Sequence, residues 1–305
     1  MSENNKTWQN YTHKVARGIR RRALEHTISC NGGYLSQACS SAEIFSILYT
    51  HLMNLEPSQA PMIPLPFPGV PGPNNPEYFT GVAYNGPKAP HLDRFFISCV
   101  QYAIVLYATL VETGRMAEEG LKMFNKDGGT VEMIGAEHSP GHEITAGSLG
   151  QALSQAAGIS LARKLKNESG RQWVFMSDGE FQSGQTWETI QAMVFHKIDN
   201  ILIYVDVNGQ QCDGKMEDVM KIEPLKDRLE AFGARTFKID GHNLDELEKP
   251  AKLPSDGRPT FVLAYTDTAK DMPILEPRRP KLHYVRFKNP EERNTFKNYL
   301  EDNLL

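Results

Sequence analysis

Two hydrophobic periods follow one another through the middle of the chain. Gln172-Trp173-Val174-Phe175-Met176 is a short apolar run with aromatic and β-branched content, the pattern of a buried strand. It stops at Ser177-Asp178-Gly179-Glu180, where Asp-Gly signals a turn. Over residues 186–196, Trp187, Ile190 and Val194 recur at helical spacing with Met193 beside them. Ile201-Leu202-Ile203-Tyr204-Val205 then repeats the strand pattern, and Asp206-Val207-Asn208-Gly209 closes it with a second turn. Strand, helix and strand at this length predict a right-handed βαβ crossover. Elsewhere the pattern predicts a helix over 15–28 and a strand over 236–239.

The crossover gives two polar residues a place. Asp178 and Asn208 lie about thirty positions apart, each just past a strand. Ligands of open parallel sheets bind beyond the carboxyl ends of the strands. Two hard oxygen donors there suit a small divalent cation holding a phosphate. Asp-Gly and Asn-Gly turns are also common in α/β proteins, so the spacing alone favours plain turn residues.

Other stretches change the picture less. Arg17, Arg20, Arg21 and Arg22 make a basic face on the first predicted helix, whose default is solvation. Residues 56–90 hold ten prolines, from Pro57 to Pro90, which disfavours both helix and strand. A long irregular loop in a compact domain is functional or disordered; a neutral excursion and an active-site cover or partner arm both fit. Residues 147–162 are rich in Gly, Ala and Ser, a composition that lets a helix pack closely.

The 305 residues suit one large α/β domain over 1–305 with a Pro-rich insertion at about 56–90. A hydrophobic content of 40% supports a full core, and a net charge of −4 gives no sign of a nucleic-acid partner. No apolar run reaches the roughly 18–20 residues of a membrane span. Residues 1–10 are polar and lack a signal-peptide apolar region, so a cytoplasmic protein is expected. Cys30, Cys39, Cys99 and Cys212 have no metal-type spacing and read as buried thiols.

With these motifs the chain resembles the thiamine-diphosphate enzymes, and among them the N-terminal half of transketolase. That family carries Gly-Asp-Gly, about thirty residues, then Asn; here Ser177 stands for its first Gly. The resemblance implies a doubly wound parallel sheet with helices on both faces. It implies that Asp178, Asn208 and the backbone carbonyl of Gln210 hold Mg²⁺ or Ca²⁺, which holds the cofactor's diphosphate, with Gly179 and Glu180 completing the cofactor turn. Asp213-Gly214 matches the family's Asp-Gly a little further on. Thr145-Ala146-Gly147-Ser148-Leu149-Gly150-Gln151 is similar to the family's Thr-Gly-Ser-Leu-Gly-Gln, which implies aminopyrimidine contacts at Gly147 and Leu149. Ser40-Ser41-Ala42-Glu43-Ile44 matches the start of an early family helix, and Ser40 with Glu43 makes a capping-box pattern. Asp93-Arg94-Phe95 precedes Ser98 in the family manner. Asp240-Gly241-His242 matches a later strand end, and Glu188 a Glu on the helix after the cofactor turn. Arg258-Pro259-Thr260 is similar to the opening of the family's last strand, and residues 290–300 resemble its closing helix, where Glu291 and Glu292 near the start favour the dipole.

The departures concern histidines, which in the family bind sugar hydroxyls and diphosphate and move protons. Tyr34 stands at the first family His, after Gly32-Gly33. Val100 and Gln101 stand where transketolases have Gly-His, and His138 meets a third only through a shift in alignment near Pro140-Gly141. Leu282-His283-Tyr284 resembles the family's Trp-His-Gly, so His283 and Glu188 are the implied catalytic residues. The cofactor itself carries the hard carbon–carbon chemistry; the acid that activates it comes, in the family, from a separate pyrimidine-binding domain. The expectation is a thiamine-diphosphate-binding subunit that needs a separate pyrimidine-domain subunit, as an α2β2 heterotetramer. It would act on a small-molecule substrate by moving a two-carbon ketol unit. The alternative is an E1-like subunit that decarboxylates a 2-oxo acid and transfers the acyl unit. The non-enzyme reading is a degenerate binding subunit.

Overall fold

The computed structural model describes residues 4–76 and 78–304. Its centre is a sheet of five strands: β1 Arg94–Ile97, β2 Gln172–Ser177, β3 Ile201–Val207, β4 Arg235–Asp240 and β5 Thr260–Tyr265. All pair in parallel, in the order β1-β2-β3-β5-β4. Side chains alternate across the sheet as pleating requires. Trp173, Phe175, Leu202, Tyr204, Val262 and Ala264 enter one buried cluster. Val174, Met176, Ile203, Val205, Phe261 and Leu263 enter another.

Helices cover both faces. The first cluster takes α1 (Asn4–Ser29), α2 (Leu35–Ile47) and α3 (Ala103–Glu112). The second takes α4 (Gln151–Leu165), α5 (Gly184–Phe195) and α6 (Leu225–Ala231). The chain then returns α7 (Leu244–Lys252) and α8 (Pro290–Asn303) to the first face, through Leu247 and Phe296. This is the doubly wound α/β architecture. The Asn289 side chain caps α8, accepting from the Glu292 N–H at 2.8 Å. Among the described residues no helix is long and apolar enough to cross a membrane.

Four expectations are corrected. The first helix begins at Asn4, not at 15. Its basic face is not simply solvated. Arg20 is 2% exposed and forks onto Glu43 at 2.8 and 2.7 Å, and Arg22 is also buried. Ser40 and Glu43 form no capping box, because α2 has already started at Leu35 and both lie inside it. The cysteines are split: Cys39 and Cys99 are buried free thiols, while Cys30 and Cys212 are exposed.

The Pro-rich segment is irregular apart from a 3₁₀ turn at Gly81–Asn85, and Glu77 lies outside the described residues. It is held down by hydrogen bonds to the 115–130 stretch. The Ala117 N–H donates to Met62 O at 2.7 Å, and the Phe67 N–H to Gly128 O at 2.8 Å. The Arg115 guanidinium donates to the carbonyls of Glu56 and Tyr84. A separate two-strand ribbon pairs Gly32–Gly33 with Val285–Arg286 in antiparallel register. It brings a late part of the chain to the entrance of α2.

Candidate functional site

Register places the turn residues. Ser177 pairs with Asp206, so Asp178 and Asn208 both fall just past that pair, at the carboxyl edge of the sheet. There they line a cleft of about 370 Å³ together with Tyr34, Gln37, Gln101, Tyr102, Leu149, Gly179, Gln210 and His283.

Asp178 opens a 3₁₀ turn directly after β2 and is 2% exposed. Its Oδ2 accepts the Gly209 N–H at 2.8 Å, which ties the two turns together. Burial pushes its carboxyl up to about 8; the Gly209 bond opposes this and the nearby Asp206 charge adds to it. Asn208 Oδ1 accepts the Gln210 N–H at 2.9 Å. Its Nδ2 donates to Asp206 Oδ2 and to the Tyr102 hydroxyl, both at 3.0 Å.

Glu180 turns away from the cleft. It is fully buried and accepts from the Gly150 N–H and the Ser177 N–H, each at 2.9 Å, and from the Ser98 hydroxyl. A capping box therefore exists at Ser177 and Glu180 rather than at Ser40 and Glu43. The bond to Gly150 fixes the loop that carries Gly147 and Leu149. Gly150 sits at φ +83° before α4, where a Cβ would meet Ser183 Oγ at 2.8 Å and Thr186 Oγ1 at 2.9 Å. Leu149 is 44% exposed at the cleft, while Gly147, Glu180 and Glu188 are not among its lining residues. Glu188 is exposed on α5.

The ribbon brings His283 to the opposite wall. Its ring meets Tyr34 edge-on with centroids 5.6 Å apart, and its carbonyl accepts from Gln37 Nε2 at 3.0 Å. Burial holds the imidazole below its usual range, with Asp213 pulling the other way, so it is neutral near pH 7. Gln101 lines the cleft as well, so two of the positions where the resemblance expects histidine are indeed in it.

Two residues absent from the expected set bear on Asn208, Asp206 behind the cleft wall and Tyr102 in it. Asp206 is fully buried, and burial raises its carboxyl above the usual range against four hydrogen-bond donors. Tyr102 reaches the cleft from the short turn after β1. An acid inside an otherwise apolar strand was the one available signal for Asp206; nothing in the spacing marks Tyr102.

The family model for "Transketolase, thiamine diphosphate binding domain" matches residues 77–278. An uncharacterised transketolase family protein of Sinorhizobium fredii is 34% identical over 281 residues, covering 91% of this chain and 90% of its own. A 6-deoxy-6-sulfo-D-fructose transketolase subunit of a Clostridium species is 28% identical over 261 residues, 85% of each. In fold, the chain is similar to the transketolase of Campylobacter jejuni, with TM-score 0.67 and 21% identity; the match covers 96% of this chain and 46% of that one. The chain belongs to the transketolase family, and what it carries is that family's thiamine diphosphate-binding domain.

Proposed function

We propose that the chain is the diphosphate-binding subunit of a heteromeric transketolase-like enzyme that transfers a two-carbon ketol unit. The observation that carries this reading is the meeting of Asp178, Asn208 and Gln210 at one cleft with Leu149 and His283. The donor set fits the group. A carboxylate, an amide oxygen and a backbone carbonyl are hard oxygen ligands of the kind Mg²⁺ and Ca²⁺ take. Asp178 is the member that would carry negative charge when ionised, and burial is what raises its carboxyl. Among the described residues no cluster of three His, Cys, Asp or Glu side chains forms a metal site; the set proposed here has only one such side chain.

When bound, thiamine diphosphate supplies the nucleophile and electron sink for carbon–carbon chemistry. The chain's own part is to hold and orient. Asp178, Asn208 Oδ1 and the Gln210 carbonyl would hold the cation and through it the diphosphate. Gly179 lets that group approach the turn. His283, neutral and half-buried, has a ring nitrogen to donate to or accept from an oxygen in the cleft. Leu149 presents an apolar wall to the cofactor's ring.

The proposed partner subunit, within an α2β2 heterotetramer, draws on the likeness to a relative described as a subunit. The chain spans under half of the Campylobacter enzyme, whereas it matches a Clostridium protein described as a subunit over 85% of that protein's length. Tyr34 and Gln101 favour a second reading, an E1-like subunit acting on a 2-oxo acid. A donor screen on the purified subunit pair separates them. Turnover of ketose donors but not of 2-oxo acids is expected; the reverse outcome would overturn ketol transfer.

A further inference from the structure

The two ends of the Asn208 amide have the same shape and opposite hydrogen-bonding character. Packing therefore cannot choose between them; neighbouring donors and acceptors must. The Gln210 N–H can only donate, and it sits 2.9 Å from Oδ1. On the other end, Nδ2 lies 3.0 Å from Asp206 Oδ2 and 3.0 Å from the Tyr102 oxygen. These two acceptors are themselves committed. Asp206 Oδ2 also accepts from Ser40 Oγ at 2.6 Å and from the Tyr102 hydroxyl at 2.7 Å, and Oδ1 accepts from Thr266 Oγ1. Because Tyr102 gives its proton to Asp206, what it offers Asn208 is a lone pair. A flipped amide would set NH₂ against N–H at one end and oxygen against carboxylate at the other.

We propose that Asp206, with Tyr102, is the positioning group that aims the Asn208 carbonyl oxygen, not its NH₂, at the cation edge beside Asp178. The inference rests on the cofactor reading above. It explains why a carboxylate is buried at the end of β3 without touching the cleft: Asp206 is not among the lining residues, whereas Tyr102 and Asn208 are. The brace draws on α2 through Ser40, the turn after β1 through Tyr102, and the stretch after β5 through Thr266. The edge is thereby tied to three separate parts of the fold.

The test is calorimetric titration of thiamine diphosphate with Mg²⁺ into the protein in its native assembly. Asp206→Asn removes the acceptor that orients Asn208, and Mg²⁺-dependent affinity should fall about 10- to 100-fold, the usual cost of an outer partner of a metal ligand. Tyr102→Phe keeps the ring and removes one acceptor, with a loss on the order of threefold. Asn208→Asp alone sets two carboxylates against each other and should also weaken binding. Combining Asp206→Asn with Asn208→Asp restores a donor facing an acceptor, so the double variant should bind tighter than either single one. A merely structural role predicts losses that add. Additive losses, or wild-type affinity in Asp206→Asn, would overturn the proposal. If Asp206→Asn does not fold, unchanged affinity in Tyr102→Phe overturns it. Failure of the wild-type protein to bind cofactor and Mg²⁺ would instead overturn the cofactor reading, and this inference with it.

Discussion

Glu180 and Asp178 sit two positions apart in one turn and face opposite ways. Asp178 lines the cleft, while Glu180 gathers the Ser98 hydroxyl and the N–H groups of Gly150 and Ser177 in the interior. Replacing Glu180 with Ala leaves two buried N–H groups and a hydroxyl without their acceptor. The loss in unfolding free energy should be about 3 kcal/mol, read by urea titration. Glu180→Gln keeps one acceptor oxygen and should lose less. Equal stability of Glu180→Ala and the unaltered chain would show that the brace contributes nothing. At this scale the sequence showed Asp178 and Asn208 because each forms a turn with a following glycine. It could not show which way Glu180 faces, since adjacency in a turn carries no direction. Asp206 was hidden by its strand and Tyr102 by the distance in sequence, 104 positions, between it and its partner.

Among the elements, α1 and α2 show where local pattern misleads. Ser-x-x-Glu marks a helix start, but the same spacing joins neighbours on one face of a helix interior. In α2 that face turns inward, with Ser40 on Asp206 and Glu43 between Arg20 and His242. The basic residues of α1 read as a surface for a similar reason: composition alone cannot show that Glu43 waits beneath Arg20. Burial opposes ionisation of Glu43, yet the His242 hydrogen bond and the Arg20 charge outweigh it and hold its carboxyl down at about 2. A carboxyl lowered in the folded state stabilises the fold above its unfolded value near 4.5, and that stability is lost as pH falls toward 2. Glu43→Gln should therefore show a flatter decline of stability between about pH 4.5 and 2 than the unaltered chain. At pH 7 it should be less stable by on the order of 3 kcal/mol, since a buried partner of Arg20 is lost. Identical pH profiles would remove the pair from the account. Strands β2 and β3, by contrast, were legible nearly to the residue, because a strand buried on both faces needs an unbroken apolar run.

For the molecule as a whole, the order of motifs along the chain foretold the doubly wound sheet and the sheet edge at which Asp178 and Asn208 meet. It did not foretell the ribbon of Gly32–Gly33 with Val285–Arg286, two residues a side, which joins Tyr34 to His283. Such a short pairing has no periodicity to read. Nor did it show that the Pro-rich segment is laid against the 115–130 stretch by backbone hydrogen bonds. The proposed picture is one wall of a cofactor site, in which this chain would build the cation edge and a partner chain would supply the pyrimidine side. The most direct test is titration of thiamine diphosphate into the native assembly, with Mg²⁺ and with EDTA, for the unaltered chain and for Asp178→Ala. Cofactor should bind the unaltered protein only with Mg²⁺, and Asp178→Ala should not bind it while keeping the same circular dichroism spectrum. Wild-type affinity in Asp178→Ala would contradict the assignment of this edge as the diphosphate anchor.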